Sequence, residues 1–374
     1  MRILLICQDS PLNRAYGGGL RTNYLWEALK RVGSVSALVM EPAARTELVA
    51  IPGEGEIARI RFKKPKVPWA TAETLRIRKR VRELTRGHAF DVVVVRHLRM
   101  AMLVRGSTEA PVILDDDDVD KVAPTIGRSL AQRWFDAAKT AARRAVARRA
   151  IRDYAHVWFV KPADMVKFPV RSASVIPNLA NAPDVLLPRT PASPAHVLMV
   201  GKFGYAPNAE GVDFFIGRVL PGLRKAAPGS RLRLVGQCPP ELARRWGSVE
   251  GVEVAGFVDD LAPEYASASV VVAPVFSGGG TQIKVLEALG HACGTVVSGF
   301  AATGFAPHLR DGEHLLVAND AGEWIARCLA LLRSPVQAER LGHAGREVVL
   351  NSYSFDGMAQ EVRSTITRVC ASRP

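Results

Sequence analysis

The chain has 374 residues, 48% hydrophobic and 23% charged, which is the composition of a folded protein long enough for two ordinary domains. No run approaches 18 uncharged apolar residues, and the opening apolar run is too short for a signal peptide, so membrane-spanning and secreted classes are disfavoured. Net charge is +14, and it is lopsided: residues 1–187 hold 32 Lys+Arg against 19 Asp+Glu, and residues 188–374 hold 18 against 17. A basic half of this kind faces something anionic, or is simply arginine-rich. The five cysteines are scattered without metal-ligand spacing, as in a cytoplasmic protein with reduced thiols.

In chain order, "RILLIC" is a buried-type strand and "QDSPLNRAYGGG" a loop. "LRTNYLWEALKRVG" has apolar residues at helical spacing. "VSALVM", "DVVVVRHL" and "PVILDDDD" are further strands, and "RSLAQRWFDAAKTAARRAVARRAIRDY" reads as one long basic helix. "VWFV" and "SVIPN" follow as strands. Pro183 to Pro194 holds four prolines and reads as the linker. The alternation then restarts: strand "HVLMVGKF", a helix over "NAEGVDFFIGRVLPGLRKA" with Asn208 as N-cap, strands "RLRLVG", "VEVAGF" and "ASVVVAPV", helix "TQIKVLEALGHA", strands "GTVVSG" and "HLLVAND", and helix "AGEWIARCLALLRS". Strand–helix alternation in both halves predicts an α/β fold of two Rossmann-like doubly wound parallel-sheet domains facing a cleft.

Two glycine runs precede helices. Gly17-Gly18-Gly19 lies nine residues beyond the first strand, so it is not a dinucleotide fingerprint, yet it lets backbone N–H groups approach an anion. "SGGGTQIK", Ser277 to Lys284, follows a strand directly and fits a diphosphate by the same physics. Glu287 follows in the same helix among Val285, Leu286, Ala288 and Leu289, where a carboxylate needs a partner; vicinal ribose hydroxyls would supply it. Lys202, at a strand end, and Lys284 could neutralise charge on a departing diphosphate. His97, between Arg96 and Arg99, could be a polar contact or a structural histidine. The run Asp115 to Asp120 could bind a divalent metal, position acceptor hydroxyls through Asp117 and Asp118, or pair with arginines; the non-metal readings are favoured, because the phosphate machinery is backbone plus lysine. The runs at Arg76–Arg86 and Arg143–Arg149 could touch anionic lipid head groups or an anionic acceptor; they lack the aromatic interleaving of nucleic-acid binders.

The segments "VLMVGKFGYAPNAEGVDFF", "GVEVAGFVDDLAPEYASASVVVAPVFSGGGTQIKVLEALGHACGTVVSG", "GEHLLVAND" and "LNSYSFD" resemble the retaining glycosyltransferases of family four, which have the two-domain B-type glycosyltransferase (GT-B) fold. The resemblance implies an N-terminal acceptor-binding domain over 1–187, a C-terminal nucleotide-sugar domain over 188–356, and a last helix over 357–374 packing back on the first. It implies that Glu287 holds the ribose and that Lys202 meets the diphosphate. Gly279, Gly280, Thr281, Gln282 and Ile283 would wrap diphosphate and sugar, Gly18 and Gly19 would close on the donor, Phe257 and Val258 would meet the base, and His97 would lie near the sugar. Arg96, Asp117 and Asp118 are the acceptor-side candidates.

The sequence departs from the family pattern twice. Gly279 stands where a second glutamate is frequent, and "PNAEG" stands where a second cation is frequent; Lys284 could supply that charge. The expected reaction moves a sugar from a nucleoside diphosphate sugar, the co-substrate, to an anionic or membrane-linked acceptor, with no cofactor, metal or nucleic acid. The expected location is cytoplasmic, peripheral at the inner face of the plasma membrane. A sugar-nucleotide epimerase, a metal-dependent transferase using the aspartate run, and a non-catalytic nucleotide-sugar-binding partner are the alternatives.

Overall fold

The computed structural model describes residues 1–13, 17–43, 47–50, 57–63, 71–86, 89–117, 119–120, 129–193 and 195–372. The chain forms two compact units. Unit 1 comprises Met1–Asp120, Ala138–Leu179 and Phe355–Pro374, and unit 2 comprises Lys121–Ala137 and Ala180–Ser354.

The elements of the N-terminal half are β1 (Arg2–Cys7), α1 (Gly17–Lys30), β2 (Ser34–Pro42), β3 (Glu47–Ala50), β4 (Ile57–Phe62), α2 (Ala72–Thr85), β5 (Val92–Arg96), α3 (Leu98–Val104), β6 (Val112–Asp116), α4 (Leu130–Ala150), β7 (His156–Phe159), α5 (Pro162–Lys167) and β8 (Ala173–Val175). Their sheet runs β3-β4-β2-β1-β5-β6-β7-β8, parallel except for β3 against β4. The apolar runs read from the sequence are buried on both faces, as a sheet sandwiched by helices requires: every residue of β5 and of β7 is buried. Strand order reverses between β1 and β5, so the crevice beyond their carboxyl ends is the expected ligand position of this unit.

The C-terminal half adds β9 (His196–Val200), α6 (Ala206–Phe214), α7 (Leu220–Ala226), β10 (Arg231–Val235), α8 (Pro240–Gly247), β11 (Val252–Gly256), α9 (Ala262–Ser267), β12 (Val270–Ala273), α10 (Ile283–Gly290), β13 (Thr295–Ser298), α11 (Gly299–Ala302), β14 (Leu316–Ala318), α12 (Ala321–Arg333), α13 (Pro335–Ser352) and α14 (Phe355–Ala371). The second sheet, β11-β10-β9-β12-β13-β14, is wholly parallel, with its reversal between β9 and β12. α14 belongs to unit 1, where it packs on α1; Tyr24 meets Phe355 at 6.1 Å and Trp158 Nε1 donates to Thr365 Oγ1.

Three expectations change. The helix expected from Asn208 starts at Ala206, because Pro207 pre-sets a first helical turn, and Asn208 lies inside it rather than at the cap. The same helix is interrupted by a π-helical turn, Phe215–Val219, just before Pro221, whose missing N–H and ring an uninterrupted helix would not accommodate. The proline-rich segment from Pro183 has no helix or strand but is pinned to unit 2. Arg346 donates to the Pro183 carbonyl, Thr190 N to Ala266 O, and Arg189 to the carbonyls of Tyr265 and Ala268. This segment lies in the Ala180–Ser354 stretch of unit 2.

Candidate active site

In unit 2 the strand exits on either side of the β9/β12 reversal carry the residues singled out in the sequence. Past β9 come Gly201 and the exposed Lys202. Gly236, beyond β10, has φ 130°, and a side chain there would strike the Gly201 carbonyl, so glycine is required where these two exits meet. Past β12, Val275 to Gln282 form the loop, and α10 begins at Ile283, two residues later than expected. Gly278 (φ 113°) and Gly280 (φ 66°) lie in the left-handed region, and a Cβ on Gly278 would come within 2.9 Å of Tyr205 Oη. Gly278 and Gly280 are therefore required by the backbone path that leads into the start of α10. Ser277 Oγ is buried without a hydrogen-bond partner at the head of this loop.

Lys284, in the first turn of α10, donates from Nζ to Asn208 Oδ1, while Asn208 Nδ2 donates to the Lys202 carbonyl at 2.9 Å. Nζ also lies 3.4 Å from where a Cβ on Gly201 would be. A lysine from the β12 side thus reaches the segment where the resemblance expects a second cation. Glu287 is one turn deeper and half-buried. Burial pushes its carboxyl up to about 7, against the attraction of Lys284. Burial likewise pushes Lys284 down to about 8, against the attraction of Glu287. Two ionisable groups are held near neutrality with each other for company, an arrangement typical of functional sites. Phe257 follows β11 and is 63% exposed, while Val258 beside it packs on the core.

In unit 1 the β1/β5 reversal is also built from polar residues. Arg96, at the end of β5, is fully buried. It donates to Asp115 Oδ2 (2.9 Å), Asp117 Oδ2 (2.7 Å), Thr22 Oγ1 (2.6 Å) and the Gly18 carbonyl (2.8 Å). Arg21, unremarked in the sequence, takes the other side of Asp115 and bonds Ile176 O and Asn178 Oδ1. Arg96 is therefore a wall of the site and is not exposed to an acceptor; it fixes Asp117 and the start of α1. Gly19 is required there, since a Cβ would come within 2.5 Å of the Asn13 carbonyl.

His97 has φ 68°, rare for a residue with a side chain, and its N–H donates to Asp115 O. Such backbone strain costs about 1–3 kcal/mol and recurs at functional sites. Its Nδ1 lies 3.1 Å from Asp117 Oδ1. Burial disfavours the imidazolium, but Asp117 outweighs it and the pKa is raised. Asp118 lies outside the described residues. His97, Asp116 and Asp117 bring potential ligand atoms within 4.8 Å of one another. Asp117 is already engaged by Arg96 and His97, and Asp116 accepts from Leu98 N, so a cation would have to displace a guanidinium; we assign no metal there. Asp120 is likewise held by Arg144 and Lys167.

Residues 194–334 match the family described as Glycosyl transferases group 1. Over its full length the chain is 27% identical to a phosphatidyl-myo-inositol mannosyltransferase of Mycobacterium leprae, covering 98% of that protein. Among solved structures, sucrose-phosphate synthase of Thermosynechococcus elongatus superposes with a TM-score of 0.76 at 17% identity over 100% of both chains. Anabaena HepE, solved with UDP and glucose, superposes with a TM-score of 0.68 at 13% identity over 97% of this chain and 99% of that one. Residues 194–334 are thus a group 1 glycosyl transferase domain, and the chain that carries them is a glycosyltransferase with the two-domain GT-B fold.

Proposed function

We propose that the protein is a retaining transferase that moves a sugar from a nucleoside diphosphate sugar to an anionic or membrane-linked acceptor, without a metal or cofactor. The observation that carries this reading is the meeting of the Gly278–Gly280 loop, Lys284, Asn208 and Glu287 around the β9/β12 crevice of unit 2. Glu287, ionised, accepts hydrogen bonds from both ribose hydroxyls, which gives it the partners that burial demands. Lys284, Lys202 and the loop amides face the diphosphate. As the bond from the sugar's anomeric carbon to the phosphate oxygen breaks, negative charge grows on the leaving group, and these donors stabilise it. The acceptor hydroxyl oxygen forms its bond to the anomeric carbon on the same face, and its proton passes to the departing phosphate oxygen. Phe257 offers an aromatic surface to the base.

His97, with its ring set by Asp117, lies at the β1/β5 crevice of unit 1, and the basic N-terminal half takes the acceptor. A mannosyltransferase named for a phosphoinositide lipid among the relatives supports a lipid-linked acceptor, and HepE's UDP and glucose support the donor class. Gly279 leaves the sugar-facing contact to backbone, so sugar choice rests on groups other than a second carboxylate. The test is incubation with a panel of nucleoside diphosphate sugars and a lipid extract, with NMR of the product's anomeric centre. Retained configuration in full activity with chelator present supports the reading. Isomerised donor without transfer would identify an epimerase, and inverted product or loss in chelator would refute the mechanism.

A further inference from the structure

α4 is seated with its polar side inward. Its buried and half-buried residues, Asp136, Thr140, Arg144 and Ala147, recur at four, four and three positions and make one stripe. Arg144 bonds Asp120 at 2.6 Å, Arg148 donates to the Lys167 carbonyl at 3.0 Å and lies over the Phe168 ring, and Ala147 joins the unit 1 core. The opposite side is apolar and open. Leu130 is 74% exposed, Trp134 77% and Phe135 68%, and Ala138, Ala141, Ala142, Ala145 and Val146 continue the same face. A surface helix of a globular domain ordinarily buries the face that α4 leaves in water.

Charge identifies the occupant. α4 carries Arg133, Lys139, Arg143, Arg144, Arg148 and Arg149 against one acid, Asp136. Lys139 and Arg143 flank the apolar sector on one side, Arg148 lies at its other edge, and Arg149 falls within it at the C-terminal end of the helix. An apolar face bearing Trp and Phe, bordered by cations, is the chemistry of a helix lying in the interface of an anionic bilayer. No helix among the described residues is long and apolar enough to cross a membrane, so the contact is interfacial.

We infer that α4 is a membrane-docking element, inserting Leu130, Trp134 and Phe135 between anionic lipid head groups while Lys139 and Arg143 pair with phosphates. The inference rests on the reading of a membrane-linked acceptor and names the surface that would deliver it, but its test does not depend on catalysis.

The full-length protein is co-sedimented with vesicles of pure phosphatidylcholine and of phosphatidylcholine with one-third phosphatidylglycerol. The expected result is binding to the anionic vesicles, weakened at least tenfold by Trp134→Ser with Phe135→Ser and several-fold by Lys139→Gln with Arg143→Gln. Both variants should keep the wild-type melting temperature and its shift on adding the donor sugar nucleotide, since these exposed residues lie outside the nucleotide site. The claim is overturned by equal binding of wild type and the Trp134/Phe135 variant. It is overturned equally by no binding to anionic vesicles, or by an α4-dependent dimer in sedimentation velocity that binds no lipid. Loss of the donor-induced shift in the wild type would count against the proposed function and leave the vesicle result standing.

Discussion

Replacing Lys284 by Met removes one positive charge and little volume from the β9/β12 crevice. In the free protein that charge meets Asn208 Oδ1 and offsets part of the burial of Glu287. A hydrogen bond to a charged group contributes about 1.5–3 kcal/mol, so donor affinity should fall about 10- to 150-fold. Turnover should fall further, by about 10²–10³, if the ammonium acts most strongly on the leaving diphosphate. The fold should tolerate the change. Asn208 and Glu287 lose a partner, but the desolvation that already depresses Lys284 disappears with it. The assay is calorimetric titration of the best-binding nucleoside diphosphate sugar and of its parent nucleoside. The loss should appear for the diphosphate ligand and be small for the nucleoside. Equal loss for both, or none for either, would refute the assignment of Lys284 to the diphosphate.

Donor affinity should be bell-shaped in pH. Binding as proposed needs ionised Glu287 and charged Lys284, whose values in the free protein are about 7 and about 8. Affinity should drop about tenfold per pH unit below the first and above the second, and Glu287→Gln should abolish the acid limb. Stability of the free protein runs the other way. The raised Glu287 contributes stability that is lost as pH rises through about 7, and the depressed Lys284 contributes stability lost as pH falls through about 8. The thermal shift on donor binding should therefore peak between them. Gly278→Ala should weaken donor binding at least tenfold, because φ 113° and the Tyr205 hydroxyl both oppose a side chain there; an unchanged dissociation constant would show that the loop path is irrelevant to the ligand. Asp115→Asn leaves Arg21 and Arg96 buried with their shared carboxylate gone, and should cost about 3–5 kcal/mol in denaturant unfolding.

Much of the architecture was legible because parallel strands buried on both faces leave unbroken apolar runs, as in "RILLIC" and "DVVVV". The β3–β4 pair was missed because "ELVA" and "IARIRF" are short and mixed with charge at the sheet's edge. The glycine loop and Glu287 could be singled out because they lie within eleven residues of chain, Ser277 to Glu287. Arg21 and Asn178 could not: they reach the unit 1 site through Asp115 and the Ile176 carbonyl, partners distant in sequence, and an arginine in a helix gives no sign that it is buried. Arg96 was recognised as special, but only the fold reveals that it is buried and donates to Asp115, Asp117, Thr22 and Gly18. The long basic helix was read correctly, but which face it turns to solvent depends on tertiary seating at Arg144 and Ala147.

The central claim is that unit 2 holds a nucleoside diphosphate sugar through Glu287 and passes on its sugar. The most direct measurement follows release of the nucleoside diphosphate from the donor by wild type and by Glu287→Ala, each first shown to be folded by its melting curve. The account predicts release by the wild type that falls at least a hundredfold in the variant, with the donor-induced thermal shift lost in parallel. Equal release by both proteins, or a folded wild type that binds donor and never releases the diphosphate with any acceptor extract, would contradict it.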